Sequence, residues 1–384
     1  MDAAQAHAGL TARLREGGAA PPAVLAAFAV VPRHLFLPGT PVEEAYEDRA
    51  IPTQTTDGVP TSSSSQPSMM AIMLGQLDVR PGHRVLEIGA GTGYNAALLA
   101  RLTGPGGSVT SIDIDPDLVA RAAEHLAAAG VEGVDLRIGD GALGVPDAAP
   151  YDRIVLTVGS WDIRPEWVAQ LAPGGRLLLP LTLQGSQLSV AFDLADDRVL
   201  RSDSVYGCGF MRLRGSAAGP APNELLRERW TAQPGDGPRP DLGAVSALLD
   251  QPGQLVELGG RLTHGHVWHG VGLWLMIHTP GTLRILTTDP AGAEFVPIGD
   301  GHATIALTGP DGLAALTADP LGTRAYGPGG DAAAARLRDC VRAWRAAGMP
   351  VARDLRLVAV PAGADLPCTG TVVEKTHCRL LVLP

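Results

Sequence analysis

Val85-Leu86-Glu87-Ile88-Gly89-Ala90-Gly91-Thr92-Gly93-Tyr94 decides the reading of this chain: an apolar strand runs into a glycine turn and then, near Tyr94, into a helix. Glycines let the backbone take positive φ and let a ligand come close, while the first turn of a helix presents unpaired N–H groups to it. The stretch therefore reads as a cradle for a bound cofactor. A dinucleotide fingerprint would be G-x-G-x-x-G, whereas here the order is acidic-x-G-x-G-x-G, with Glu87 just ahead of Gly89. Glycine turns also occur in purely structural loops, so the neighbouring elements have to decide.

Working outward, Ser108 to Ile114 is a second apolar strand whose Asp113 falls 20 positions beyond Gly93. A doubly wound fold places there the carboxylate that accepts from ribose hydroxyls. Pro116 opens a helix with Asp115 as its N-cap. A third strand, Val134 to Ile138, ends in Gly139-Asp140-Gly141, and a fourth runs from Tyr151 to a small-residue bend at Val158. In an open α/β sheet these carboxyl ends line one crevice, and the ligand sits there. The competing reading of Asp113 and Asp140 is that they cap loops. Pro173-Gly174-Gly175 then leads into a strand over Arg176 to Leu181, with further strands expected near Gln187 to Phe192 and Ser204 to Arg214.

The acidic-x-G-x-G-x-G order resembles motif I of the S-adenosyl-L-methionine (SAM) methyltransferases. Separate blocks resemble the protein-L-isoaspartate O-methyltransferase family across roughly the first 215 residues: Val31-Pro32-Arg33-His34-Leu35-Phe36-Leu37-Pro38, Ala45-Tyr46-Glu47-Asp48-Arg49-Ala50-Ile51-Pro52, Ser65-Gln66-Pro67, and Gly139-Asp140-Gly141 with Ala149-Pro150-Tyr151-Asp152. The resemblance implies an α/β, doubly wound, Rossmann-like SAM methyltransferase sheet with helices on both faces. It implies SAM as cofactor, held by Glu87, Gly89, Gly91, Gly93, Asp113, Ile114, Asp140 and Gly141. It implies methyl transfer to a peptide or protein side-chain or isoaspartyl carboxylate, giving an ester that can collapse to a succinimide. Ser65 keeps the family's catalytic position, and Ser64, Gln66, Pro67 and Val158 fall on the substrate side. The chain departs from the family in one place. Ser62-Ser63-Ser64-Ser65 replaces the usual Gln-Thr-Ile-Ser, and Ser68-Met69 stands where a larger aromatic or His side chain is usual.

Such chemistry asks little acid–base help of a protein. A carboxylate with an ordinary pKa of about 4 is ionised at neutral pH, so the nucleophile exists without a general base. What remains is alignment, and a hydroxyl that donates to one carboxylate oxygen aims the other.

With 384 residues the chain exceeds what one core usually supports, so a second domain is expected. Its net charge of −10 and 4% aromatic content speak against a nucleic-acid partner. Met1 to Leu14 lacks a signal-peptide pattern, and no apolar run approaches the ~20 residues that span a bilayer. A cytoplasmic enzyme without membrane contact is the expectation. Residues 1–60 are expected to include a helical cap over the crevice (Ala3 to Glu16, Pro22 to Phe28), and residues 1–215 to form the methyltransferase domain. Residues 216–240 read as a Gly/Pro-rich linker with a helix-like piece at Glu224 to Trp230, and 241–384 as a smaller mixed α+β C-terminal domain for substrate recognition. Within it, Leu255 to Leu258, Val271 to His278, Leu283 to Thr288 and Thr304 to Leu307 read as strands, Ala332 to Ala347 as a helix and 372–382 as a terminal hairpin. Cys208, Cys340, Cys368 and Cys378 match no zinc pattern and read as reduced buried thiols. His264, His266, His269 and His278 lack partners at ligand spacing, so no metal is expected. Because compact repair enzymes need no added domain, the extension favours a dedicated modifier of one ribosomally made peptide. General isoaspartate repair, a small-molecule carboxyl methyltransferase and a noncatalytic SAM-binding module are the alternatives.

Overall fold

The structure is a computed structural model that describes residues 2–383 apart from 19, 57, 222, 237, 238 and 252. The chain opens with α1 (Ala3–Glu16), α2 (Pro22–Val30) and the short α3 (Val42–Ala45), then an antiparallel hairpin of β1 (Ile51–Thr56) and β2 (Val59–Ser64). Asp2 caps α1 by accepting from the Gln5 amide, and Pro22 starts α2 where its missing N–H costs nothing. Helix α4 (Pro67–Leu77) leads into β3 (Arg84–Ile88), α5 (Tyr94–Thr103), β4 (Ser108–Asp113), α6 (Pro116–Ala128), β5 (Val134–Ile138), β6 (Tyr151–Leu156), α7 (Pro165–Gln170) and β7 (Leu171–Leu183). Strands β3 to β7 pair in parallel in the order β7-β6-β3-β4-β5, and β8 (Ser186–Leu194) and β9 (Leu200–Gly207) continue the sheet antiparallel to β7. The chain reverses direction across the sheet at β3, which has β4 on one side and β6 on the other. That is the switch point where doubly wound sheets bind ligands.

The N-terminal helices do not cover this crevice. Leu10, Leu14, Val24 and Phe28 pack with α4 and α5 in the core on one face of the sheet, and neither α1 nor α2 lines the cavity described below. The hairpin β1–β2 reaches the crevice instead, tied to the end of β4 by Gln54, which donates to Asp115 at 3.1 Å. Asp115 itself caps α6 as its sequence position predicts.

Beyond Gly207 the expected partition needs correcting. The 216–240 segment, of which 222, 237 and 238 lie outside the described residues, contains the hairpin β10 (Glu224–Arg227) and β11 (Trp230–Pro234) rather than a helix in a linker. Leu226, Trp230 and Ala232 are buried at strand spacing and Arg229 takes the positive φ of the tight turn. After α8 (Leu242–Leu249) come β12 (Leu255–Glu257), α9 (His264–His269), α10 (Val271–His278), β13 (Thr282–Thr287), β14 (Val296–Ile298), β15 (Gly301–Thr308), β16 (Leu313–Ala318), β17 (Leu321–Tyr326) and α11 (Gly330–Ala346). Their strands form an antiparallel sheet in the order β10-β11-β13-β15-β16-β17-β12, with β14 beside β15. Thus α10 is a helix where a strand was expected. Its residues are almost all apolar, which erases the periodicity that separates the two. The reason is packing on two sides: Leu273 and Ile277, an i,i+4 pair, enter the first sheet's core, and Val271 and Leu275 enter the second's.

The tail forms the expected terminal hairpin but does not join the second sheet. Strands β18 (Arg356–Pro361), β19 (Thr371–Glu374) and β20 (Cys378–Leu383) add to the first sheet through β9, giving β19-β20-β18-β9 at its far edge. Leu357, Ala359, Leu380 and Val382 sit in the same core as Leu86, Ile154 and Leu177. The four cysteines are free; of them only Cys378 is fully buried, and Cys368 is exposed. Among the described residues no helix is long and apolar enough to cross a membrane, and no group of three or more His, Cys, Asp or Glu side chains is placed to hold a metal.

Candidate functional site

A cavity of about 450 Å³ opens at the carboxyl ends of β3, β4 and β6. Gly89, Gly91, Asp113 and Ile114 form one wall, Ser62 to Gln66 the wall opposite, and the chain from Gly207 to Arg214 closes the third side. Gly141 and Val158 also reach it. The structure thus brings Ser64, Ser65, Gln66, Gly89, Gly91, Asp113, Ile114, Gly141 and Val158 together as expected from the sequence.

The glycine turn is built for close approach. Gly89 has φ +105, and a Cβ there would lie 2.6 Å from Thr157 Oγ1 and 3.0 Å from Val158, so no side chain fits where β3 and β6 hand over to their loops. The Gly91 amide donates to Asp113 at 3.1 Å, which fixes the turn against the end of β4.

Four expected site residues stand behind the surface rather than on it. Gly93 starts α5 at φ +82 and lies against Ala122 of α6, so it serves helix packing. Asp140 accepts from the amides of Ala142 and Ser216, the loop-capping role that competed with adenine contact. Pro67 is buried as the first residue of α4. Glu87 is fully buried, with Asn95 donating to one oxygen at 2.8 Å and Ser111 to the other at 2.5 Å. Through Asn95, a cavity residue, it braces the first turn of α5.

Burial raises the Glu87 carboxyl to about 7, with the two hydrogen bonds opposing and Asp113 reinforcing the rise. Its folded pKa exceeds the ordinary glutamate value, so the native state binds the extra proton between those two values. Stability from this group is full below about pH 4 and is lost as pH rises through 7. Relative to Glu87→Gln, the wild type should therefore lose about 2–3 kcal/mol of stability between pH 5 and pH 8. Urea unfolding of both proteins across that range checks this, and a constant difference would refute it.

The third wall carries no sequence motif. Ser204 to Arg214 was expected to be one strand, but β9 ends at Gly207 and residues 208–214 fold over the cavity. Gln187 holds this segment, accepting from the Phe210 amide and donating to its carbonyl at 3.2 Å. Arg214 comes within 3.6 Å of Asp113 and 3.8 Å of Asp115. The break was legible in Gly207-Cys208-Gly209, a poor strand sequence. The family-like block around Asp48 also finds its reason: Asp48 accepts from the Ser68 amide at 2.8 Å and from Gln66 at 3.3 Å, orienting the start of α4 beside the serine wall.

The cradle suits a nucleoside-bearing cofactor. Gly89 and Gly91 admit close approach, the Asp113 carboxylate brings acceptor oxygens to the cavity wall, and Ile112, Ile114 and Leu118 give an apolar shelf.

Comparison with known proteins agrees. The sequence model of the family described as protein-L-isoaspartate(D-aspartate) O-methyltransferase matches residues 5–218. The chain is 44% identical over 169 residues to a protein-L-isoaspartate O-methyltransferase of Methanoculleus marisnigri, covering 44% of this chain and 73% of that protein. It is 41% identical over 198 residues to protein-L-isoaspartate O-methyltransferase 1 of an Anaeromyxobacter species, covering 51% and 90%. A solved structure titled protein-L-isoaspartate O-methyltransferase aligns with 92% of this chain and 96% of its own, at 26% identity and a TM-score of 0.54.

Proposed function

The chain belongs to the protein-L-isoaspartate(D-aspartate) O-methyltransferase family, a SAM-dependent enzyme type, and we propose that within it this protein methylates an aspartyl or isoaspartyl carboxylate in a restricted set of peptides. The product is an ester that closes to a succinimide. One contact carries the restriction. A Cβ at Gly207 would fall within the ring of His269, so α9 of the second sheet rests directly on the point where β9 hands over to the cavity wall 208–214. The second sheet therefore bears on one wall of the cavity, while Ser62 to Ser64 and Ser68-Met69, where the chain departs from the family pattern, belong to the serine wall and the helix start beside it. A sheet so placed extends the surface available to residues flanking the acceptor.

Gly89, Gly91, Asp113, Ile114 and Gly141 are the residues that would hold SAM, which supplies an electrophilic sulfonium methyl when bound. Ser65 donates to one oxygen of the acceptor carboxylate and leaves the other free to attack. The serine wall and residues 208–214 exclude water from a reaction in which opposite charges neutralise. No side chain has to take up a proton, because the acceptor enters ionised. A cytoplasmic setting, which keeps thiols reduced, fits four unpaired cysteines.

General repair of isoaspartyl sites is the second reading. It is favoured by the solved structure whose likeness extends over 92% of this chain, second sheet included. An acceptor panel separates the two: isoaspartyl peptides of unrelated sequence, their aspartyl counterparts and a small dicarboxylic acid, each incubated with the full chain and SAM and read by mass. The restricted reading expects kcat/KM to vary on the order of 10²-fold or more among sequences, about 3 kcal/mol of discrimination. Uniform methylation of every isoaspartyl peptide, with no aspartyl peptide modified, would leave repair as the function.

A further inference from the structure

Beneath the serine wall lies a charge that neither the cofactor cradle nor the transfer step accounts for. Arg33 has 0% exposure. One guanidinium nitrogen donates to the Ser65 carbonyl at 2.7 Å; the other donates to the carbonyls of Ser64 at 3.4 Å and Arg49 at 3.5 Å. Its central carbon stands 5.5 Å from the centroid of the Tyr94 ring, at the first turn of α5. Among the described residues no carboxylate forms an ion pair with it. Burial lowers its pKa to about 10, partly offset by Tyr94 and Asp48, and it stays a cation at neutral pH.

A buried charge without a counter-charge is costly, and partner carbonyls compensate it only in part. The polar atoms beside it are unsatisfied as well. Ser64 Oγ and Tyr94 OH are buried without a hydrogen-bond partner, as is Arg33 Nε. Ser64 and Tyr94 both line the cavity. A cation buried behind the serine wall, with the unpaired Ser64 hydroxyl on that wall and the unpaired Tyr94 hydroxyl beside it, biases this side of the cavity toward an anion.

We propose that Arg33 is a positioning residue for the acceptor: its forked guanidinium fixes the Ser64–Ser65 backbone, and its charge makes the serine wall select an ionised carboxylate over a neutral group. The inference rests on the carboxylate-acceptor reading above. It gives separate tasks to charge and fork. Lysine would keep the first and lose the second, because a single ammonium cannot reproduce the planar fork that reaches both carbonyls.

The experiment uses full-length wild type, Arg33→Lys and Arg33→Gln, each checked by thermal melting, with S-adenosyl-L-homocysteine present. The probes are the best acceptor of the panel above and the same peptide carrying a primary amide in place of the reacting carboxyl. Calorimetry gives the binding ratio of acid to amide, and initial rates on the acid give kcat and KM. Arg33→Gln should lower the ratio at least tenfold while the affinity for S-adenosyl-L-homocysteine stays within about threefold. Arg33→Lys should keep the ratio within threefold and lower kcat at least tenfold. A purely structural arginine would weaken acid and amide alike, so an unchanged ratio in Arg33→Gln overturns the inference. If that variant does not fold, Arg33→Lys decides, and a wild-type kcat there overturns it. A wild type that does not prefer the acid over the amide overturns the carboxylate-acceptor reading and the inference together, whereas a discriminating wild type with unaffected variants overturns the inference alone.

Discussion

A chain ending at Pro350 should not yield soluble folded protein, although it retains everything that the family model matches. The last three strands complete the sheet that carries the cofactor cradle: β18 pairs with β9 and β20 with β18. Leu357, Val358, Val360, Leu380, Leu381 and Val382 are at most 5% exposed, and burial of side chains of this size is worth roughly 1.5–3 kcal/mol each. Against net stabilities of about 5–15 kcal/mol, losing the contacts on both sides of these strands is decisive even after the entropy regained by the missing tail. Removal also bares the edge of β9 and the apolar floor around Leu200 and Phe192, a surface that invites aggregation. Further anchors go with it. Lys375 donates to Asp236 at 3.1 Å and to the Thr182 carbonyl at 2.9 Å, and Asp162 accepts from the His377 amide at 2.6 Å, which holds the loop after β6 that carries Val158. Size-exclusion chromatography and thermal melting of the shortened chain are the measurements. A monomer with a cooperative melt and unchanged binding of S-adenosyl-L-homocysteine would show that the tail is dispensable to the sheet.

Why the tail departs from the sequence expectation, while the strand–turn–helix around the glycine turn follows it, depends on where each signal resides. The strand–turn–helix of Val85 to Tyr94 is local: glycine at positive φ, a buried strand before it and a helix after it all lie within ten residues. The strand ends at Asp113 and Gly141 follow from the same local logic, as does the Asp115 cap. Which sheet β18 to β20 join is set by pairing to β9, with Val358 opposite Arg201 more than 150 positions away, and no local pattern encodes that. The same holds for α10, whose side chains face two cores, and for β10–β11, whose alternation is short enough to pass for a linker piece. At the site, motif position alone does not distinguish residues that touch a ligand from those that hold them. Glu87, Gly93 and Asp140 belong to the cradle through Asn95, Ala122 and Ser216, contacts that only the folded chain specifies. The cavity wall 208–214 went unread for the converse reason: its residues carry no motif, and it is held by Gln187 from a neighbouring strand.

Ser65→Ala should lower kcat on the order of 10²-fold while leaving the affinity for S-adenosyl-L-homocysteine within about twofold. Ser65 lines the cavity, and its backbone is fixed by the 2.7 Å bond from Arg33 to its carbonyl, so the substitution removes one hydroxyl without releasing the loop. Among the described residues none forms a hydrogen bond with that hydroxyl, which leaves it available to the acceptor. Its neighbours are placed differently: Ser62 accepts from Thr53 at 3.1 Å, and the Ser64 hydroxyl is buried without a partner, its carbonyl accepting from Arg33. Since the acceptor is already ionised, losing Ser65 should leave the pH dependence unchanged and should appear as lost aim alone. Single-turnover methylation at saturating acceptor, alongside calorimetric titration of S-adenosyl-L-homocysteine, separates the two quantities. A wild-type rate would remove Ser65 from the mechanism and direct attention to Ser64, the other cavity serine on the Arg33 clamp. A rate lost together with affinity for the product would instead assign Ser65 to the cofactor side of the cavity.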